Sequence, residues 1–348
     1  MRVAFVYPRP RLELLPKIAA GEEPDTTLLG QNHLVELGFD AFVHDSVVRR
    51  RHRVGGLAHR VTWLAREATL PWELRGADVI VTPLATLLPL AARLARGPRI
   101  VYLSYGTLTL WGRAGRARRA LVRASVRSCR ATVTITHEGR DRLVRELRLP
   151  PERVLAIPFG VDARFWQPSP VPESGHVLTV GRDLARDYRT LAAAVDGLPL
   201  KVVLVAKEEN LRGVSLPDNV DVRMGIETSE LRELYAGAVC TVMPIVRDGD
   251  PRGTESSGTT ALLEAMACGR ATIVSDRSSL RDYVDGDASV VVPPEDPPAL
   301  RAAIARLVEH PDEARRLGEA GRRRVEREHT TRRFAERLAP IVRRAAEG

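Results

Sequence analysis

Apolar residues in this chain come in short solid blocks. Each block is followed by a longer stretch in which apolar positions recur every three or four residues. In the first half the blocks are Val3–Tyr7, Ala41–His44, Val79–Thr82, Ile100–Leu103, Thr132–Thr136 and Val154–Ile157. In the second they are Val177–Val180, Val202–Ala206, Val220–Arg223, Val239–Met243, Ala271–Val274 and Ser289–Val292. Nearly continuous runs of this kind suit strands covered on both faces. Strand then helix, repeated at this interval, predicts βαβ units and doubly wound parallel sheets. Two such series flank the Pro- and Ser-rich stretch Trp166 to Gly175, which reads as a linker. The prediction is an α/β protein of two Rossmann-like domains facing a cleft, with ligands at the carboxyl ends of the strands.

The closing stretch, Pro298 to Ala346, carries three helical patterns dense in Arg and Glu. Because the signs are interspersed, they read as solvated helical faces rather than a nucleic-acid arm. The expected organisation is a first domain over 1–168, a second over 169–330, and a last helix, 331–348, crossing back to the first.

Composition adds three points. At 348 residues with 44% hydrophobic content, each domain can bury its own core. Cys129, Cys240 and Cys268 are odd in number and lack paired metal spacing, which fits reduced thiols. The start, MRVAFVYPRP, is patterned like a strand, not a leader. The longest apolar run, Val79 to Ala92, holds two prolines and is too short for a bilayer, so a cytoplasmic setting is expected.

Charge is lopsided. The net value is +9, and residues 1–150 hold 25 Arg and Lys against 13 Asp and Glu. Nearly all of the excess is Arg, which is weak ground for a nucleic-acid partner, and none is expected. Trp111 to Arg130 has seven arginines and no acid. Arg116, Arg119, Arg123, Arg127 and Arg130 share one helical face. The stretch Arg113 to Arg130, with Arg49–Arg53, fits either a solvated surface or peripheral contact with an anionic membrane at its inner face. Trp63, Trp72 and Trp111 fit either an acceptor pocket or the core.

Two stretches carry candidate chemistry. In "SSGTTALLEAMACG", small residues run into a helix that Gly269 ends. A helix N-terminus offers free N–H groups and partial positive charge, and Ser257, Gly258, Thr259 and Thr260 let a phosphate come close. Glu264, about one turn inside, is placed to accept hydrogen bonds from a ribose diol. The alternative is a capped loop and an exposed helical acid. In "VLTVGRDLARDYRTL", a strand ends at Gly181, and Arg182 and Arg186 are spaced to clamp a diphosphate. The alternative is two surface arginines in an Arg-rich chain.

Taken in order, "ERVLAIPFGVDARFW", "VGRDLARDYRTL", "LRELYAGAVCTVMP", "LLEAMACGRATIVSD" and "VVVPPEDPPALRAAI" resemble the retaining nucleotide-sugar glycosyltransferases of family 4, which have the GT-B fold. The resemblance covers essentially the second half. The first half is similar in layout, through "ATVTITHEGRDRLVRELRLPPERV". It implies that Arg182 and Arg186 bind the donor diphosphate, that Glu264 binds its ribose, and that no cofactor is needed beyond the nucleoside-diphosphate sugar. The implied partners are that nucleotide sugar and a glycan, lipid-linked or small-molecule acceptor.

This sequence departs from the family at three places. Eight positions before Glu264 the family has a second glutamate, and here Ser256 stands there, with Glu255 adjacent. A Gly-Gly loop near the N-terminus is replaced by "GEEPDTTLLGQNHL", where Thr26, Thr27 and Gly30 are the small residues. A histidine after the fourth strand is replaced by Tyr105-Gly106, and Tyr is a poor base at neutral pH. These departures keep two rivals in play, a catalytically silent sugar-nucleotide-binding protein and a sugar-nucleotide epimerase. Asp248-Gly249-Asp250 and Asp285-Gly286-Asp287 spell the D-x-D pattern of metal-dependent transferases but read as acidic turns. His33, His44, His52 and His59 show no metal-ligand spacing, so no metal is expected.

Overall fold

The structure is a computed structural model, and it describes residues 1–45, 57–112, 114–169 and 174–347. The chain forms two units. One comprises Met1–Pro158 with Thr331–Gly348, the other Phe159–Thr330.

The first unit holds β1 (Arg2–Val6), β2 (Asp40–His44), β3 (Val79–Thr82), β4 (Arg99–Ser104), β5 (Ala131–Thr134) and β6 (Val154–Ala156). All pair in parallel, in the order β2-β1-β3-β4-β5-β6. The second unit holds β7 (His176–Val180), β8 (Val202–Val205), β9 (Val220–Arg223), β10 (Ala238–Met243), β11 (Ala271–Ser275) and β12 (Val290–Val292), also parallel, in the order β12-β11-β10-β7-β8-β9. Each of the twelve apolar blocks is thus a strand. The inner strands, such as β3, β5, β7, β8 and β11, are buried along their whole length, which is why their blocks lack alternation, while the edge strands β2, β6, β9 and β12 are only partly buried. Val177, Val202, Leu204, Val242 and Ile273 belong to one buried cluster with helix residues Leu191, Ile304 and Leu307.

The boundary between the units falls at Pro158/Phe159 rather than 168/169. The reason is aromatic packing. Phe165 and Trp166 are buried, and Trp166 meets Phe165 and Tyr235 edge-on. The stretch read as linker therefore begins as core of the second unit, and residues 170–173 within it lie outside the described residues.

The closing stretch is three helices, Pro297–Glu309, Pro311–Glu328 and Thr331–Glu347. The middle one is more than a solvated surface. Gly318 lies so close to Gly269 O that a Cβ would overlap it, and Gly321 abuts Met266. The last helix belongs to the first unit, where Phe334, Leu338, Ile341 and Val342 are buried.

Candidate functional site

In a doubly wound sheet the strand order reverses where the chain starts a second outward march, and the loops there open a crevice. In the second unit that point lies between β7 and β10. The loop after β7 begins with Gly181, and the loop after β10 with Pro244. The two loops pair. Asp187 N–H donates to Pro244 O (2.9 Å), Val246 N–H donates to Ala185 O (2.9 Å), and Arg186 bridges Ile245.

Arg186 is buried in this junction, its side chain 3% exposed. Its Nε donates to Asp183 Oδ2 at 3.0 Å. The guanidinium lies across Gly181, where any Cβ would overlap Nε. Gly181 is therefore required by close approach. Tyr188 pins the same loop by donating to Gly181 O (2.7 Å). Arg186 Nη1 is buried with no hydrogen-bond partner among the described residues. A buried charged donor in that state calls for an acceptor, because leaving it unmatched costs about 1–3 kcal/mol or more. Arg182 is exposed beside it.

Gly258 leads into the helix Thr259–Ala267 with φ +86°, and no side chain caps it. A Cβ on Gly258 would overlap Ile245 Cδ1, so glycine serves both backbone and packing here. Ile245 thus links the Arg186 loop to the helix N-terminus. Glu264 is partly buried one turn in, and Tyr235 OH donates to its Oε2 (3.2 Å). Burial pushes its carboxyl up to about 8, against the opposing pull of that hydrogen bond and of Arg182 and Arg186. The alternative of an exposed helical acid is thereby removed.

The small residues divide. Ser257 Oγ accepts from Thr254 N–H (2.9 Å), and Ser257 O accepts from Ser279 Oγ (3.1 Å). Thr259 is buried, its hydroxyl 3.5 Å from Ser279 O. The hydroxyls of Ser257 and Thr259 are thus engaged with protein partners. The reason is that a tight loop must satisfy its own polar groups. What this end offers outward is helix N–H groups, the exposed Thr260 and the partly exposed Ser256. Glu255 is buried at 4% exposure. Asp183 and Tyr235, which orient Arg186 and Glu264, escaped the sequence reading. Tyr235 stands inside a stretch quoted for the family resemblance, but its contact with Glu264 spans 29 positions.

In the first unit the reversal lies between β1 and β3. Tyr7, just past β1, donates to Leu28 O (2.6 Å). That bond holds the turn Asp25–Leu28, with Thr26 buried and Thr27 partly buried, at the same strand ends. Tyr105 and Gly106 follow β4 there. Tyr105 is partly buried and near enough to Tyr7 to act on it electrostatically, and Gly106 has open space around it. Gly30 has another job. Its φ is +81°, and its Cβ position lies 3.0 Å from Ala335 Cβ, so glycine there lets the last helix close in.

Beside it sits an unforeseen ionic cluster. His33 Nε2 is 3.0 Å from Asp25 Oδ2 and 3.1 Å from Thr331 Oγ1, and Nδ1 is 3.2 Å from Glu36. Burial lowers the basicity of His33, but Asp25 and Glu36 outweigh it and raise its pKa. The cluster ties the last helix to the helix Gln31–Glu36. No sequence spacing links Thr331 to His33.

Both acidic turns are internally engaged. Asp250 pairs with Arg252 (2.7 Å), whose hydrogen bond holds its carboxyl down at about 2. Asp248 accepts from Ser278 N–H (3.0 Å) and Oγ (2.9 Å). Asp285 pairs with Arg324 and accepts from Ala288 N–H (3.0 Å). No group of three or more His, Cys, Asp or Glu able to hold a metal occurs among the described residues. Two of the five arginines of the basic helix Arg116–Ser128 pack on Trp111, while Arg116, Arg118 and Arg127 are exposed. Arg119 donates to Trp111 O (3.0 Å), and the guanidinium groups of Arg119 and Arg123 stand over the Trp111 ring. Trp111 is core, Trp72 is exposed, and the Trp63 side chain, Arg113 and Arg49–Arg53 lie outside the described residues. No described helix is long and apolar enough to cross a membrane.

Comparison with known proteins gives consistent matches. A family model described as "Glycosyltransferase Family 4" matches residues 27–165, and one described as "Glycosyl transferase-like" matches 186–339. An MMP alpha-(1->4)-mannosyltransferase from Mycolicibacterium hassiacum is 24% identical over 208 residues, 56% of this chain and 49% of that protein. An alpha-maltose-1-phosphate synthase from Mycolicibacterium smegmatis is 27% identical over 261 residues, 64% of this chain and 65% of the synthase. The match therefore spans less than two thirds of either relative, about half of the mannosyltransferase and 65% of the synthase. Among solved structures, sucrose-phosphate synthase from Thermosynechococcus elongatus superposes with TM-score 0.73 at 18% identity, covering 99% of both chains. Anabaena HepE in complex with UDP-glucose superposes with TM-score 0.72 at 11% identity, covering 99% of this chain and all of HepE.

Proposed function

We propose, from the premise that this chain belongs to the family 4 glycosyltransferases and has their GT-B fold, that it moves a hexose from a nucleoside-diphosphate sugar to an acceptor hydroxyl, with retention and without a metal. The observation that carries this reading is Arg186, a buried cation with an unmatched Nη1, beside a free helix N-terminus and a carboxyl sensitive to both arginines. A diphosphate supplies the missing acceptor, and a ribose diol one turn on supplies hydrogen bonds to Glu264.

The chemistry follows from that placement. The bond between the anomeric carbon and the β-phosphate oxygen breaks, and negative charge grows on the departing diphosphate. Arg182, Arg186 and the helix N-terminus stabilise that charge, which is the task a dication performs elsewhere. The acceptor oxygen bonds to the anomeric carbon, and its proton passes to the departing phosphate oxygen on the same face. No protein base is then needed, which fits the presence of Tyr105 where a histidine stands in the family. HepE, solved with UDP and with UDP-glucose, supports a nucleotide-sugar donor. The relatives' mannosyl transfer and alpha linkage support a hexose and, from an α-configured donor, retention.

The test is a panel of UDP-, GDP-, ADP- and dTDP-sugars, read by thermal shift and then by nucleotide release with candidate acceptors. One donor should stabilise the protein, and Arg186→Ala should abolish the shift. Binding without turnover would mark a silent binding protein, a changed nucleotide sugar an epimerase, and no binding by any donor would sink the reading.

A further inference from the structure

The amino ends of the first unit's strands carry a surface that donor chemistry does not use. Arg99 opens β4, Arg130 immediately precedes β5, and Arg153 immediately precedes β6. With Arg93, Arg96 and Arg127 they line a hollow of about 310 Å³ that no carboxylate lines. All six are exposed, and none has an ion pair among the described residues. Elsewhere in the same unit arginines find acids: Arg140 pairs with Asp141, Arg142 with Glu146 and Arg332 with Glu36. A second hollow, of about 540 Å³, shares the wall formed by Arg96, Gly97, Pro98 and Arg99 and adds Arg75. Its lone lining carboxylate, Asp78, accepts from the Arg2 backbone N–H (2.7 Å).

Two large apolar side chains stand out of this basic field. Leu94, at the end of the helix Leu88–Leu94, is 83% exposed. Trp72, near the end of the packed neighbouring helix Leu57–Glu73, is 58% exposed and lines the second hollow. A solvated face would not need either. Arginines that reach headgroup phosphates, around a Trp at the interface and a Leu that enters the acyl boundary, are the complement of an anionic bilayer.

We propose that this face, at the amino ends of β4, β5 and β6, docks the protein on an anionic lipid bilayer. Docking there leaves the carboxyl ends of the same strands, with Tyr105 and Gly106, turned away from the lipid. It replaces the Arg116–Ser128 face as the contact, because part of that face is spent on Trp111, while Arg127 and Arg130 join the new one. The inference is independent of the donor reading.

The test is co-sedimentation of the full chain with vesicles of equal parts phosphatidylcholine and phosphatidylglycerol. The protein should pellet with these, not with phosphatidylcholine alone, and high salt should release it. The pair Arg96→Glu and Arg99→Glu should weaken binding at least about ten-fold, with unfolding temperature and donor affinity unchanged. Tryptophan emission should shift to the blue on vesicles, and Trp72→Phe should remove the shift while sedimentation persists. Absence of sedimentation, sedimentation indifferent to the arginine pair, or binding to duplex DNA with no blue shift on vesicles would overturn the proposal. So would a dimer in solution that Leu94→Ser dissolves without any vesicle binding, since a second copy would then be the occupant.

Discussion

Replacing Glu264 by Gln removes a carboxyl that burial has pushed from its ordinary 4.5 up to about 8. Between those values the folded protein keeps a proton that the unfolded chain has released. Stability from this group is therefore complete below about pH 4.5 and drains away as pH rises toward 8, at up to about 1.4 kcal/mol per pH unit. The full window is worth at most about 5 kcal/mol, and partial solvent access leaves about 2–3 kcal/mol. Glu264→Gln escapes the loss. For a unit of this size its unfolding temperature should exceed the parent's by about 5–10 °C near pH 8 and by little near pH 5. The same change removes a charged acceptor for the ribose, so donor affinity near pH 8 should fall about 10- to 100-fold, at about 1.5–3 kcal/mol per charge-assisted bond. Parent affinity should rise toward pH 8, while the variant's stays flat. Calorimetric unfolding across pH, paired with donor titration, checks both arms. Parallel stability curves, or equal affinities, would refute the placement of a buried, ribose-binding carboxyl.

Arg182→Ala should weaken donor binding about 10- to 100-fold, measured by titration, while leaving thermal stability nearly unchanged because the side chain is exposed; equal affinity removes Arg182 from the clamp. Gly181→Ala should displace Arg186 and cost donor binding more than stability, since its Cβ meets the guanidinium group rather than backbone. Gly258→Ala should destabilise by about 1–3 kcal/mol in thermal unfolding, from positive φ and overlap with Ile245. A chelator should leave turnover intact, and a strict Mn²⁺ requirement would return the Asp248–Asp250 turn to consideration.

Several features were legible in the chain because they are local. A strand covered on both faces is largely apolar, so inner strands such as Val202–Val205 and Ala271–Ser275 show as solid blocks. A parallel strand needs a crossover, so the alternation with helices dictates the doubly wound class. The loops at Gly181 and Gly258 are marked by glycine because a guanidinium group and an isoleucine methyl occupy the space a side chain would take. Other features depend on residues distant in sequence meeting in space. The unit boundary moved to Pro158 because Trp166 packs on Tyr235. The Ser257 and Thr259 hydroxyls turned to Thr254 and Ser279, and the charge on Glu264 is set by burial, by Tyr235 and by arginines some eighty positions earlier. The field around Leu94 and Trp72 gathers from four separate strand approaches. Sequence by itself determined the elements and the residue types able to bind a phosphate and a ribose, since periodicity and backbone chemistry act over a few residues. Tertiary structure alone decided which of those side chains remain available to a ligand, because desolvation and hydrogen-bond competition are settled by neighbours that only folding brings together.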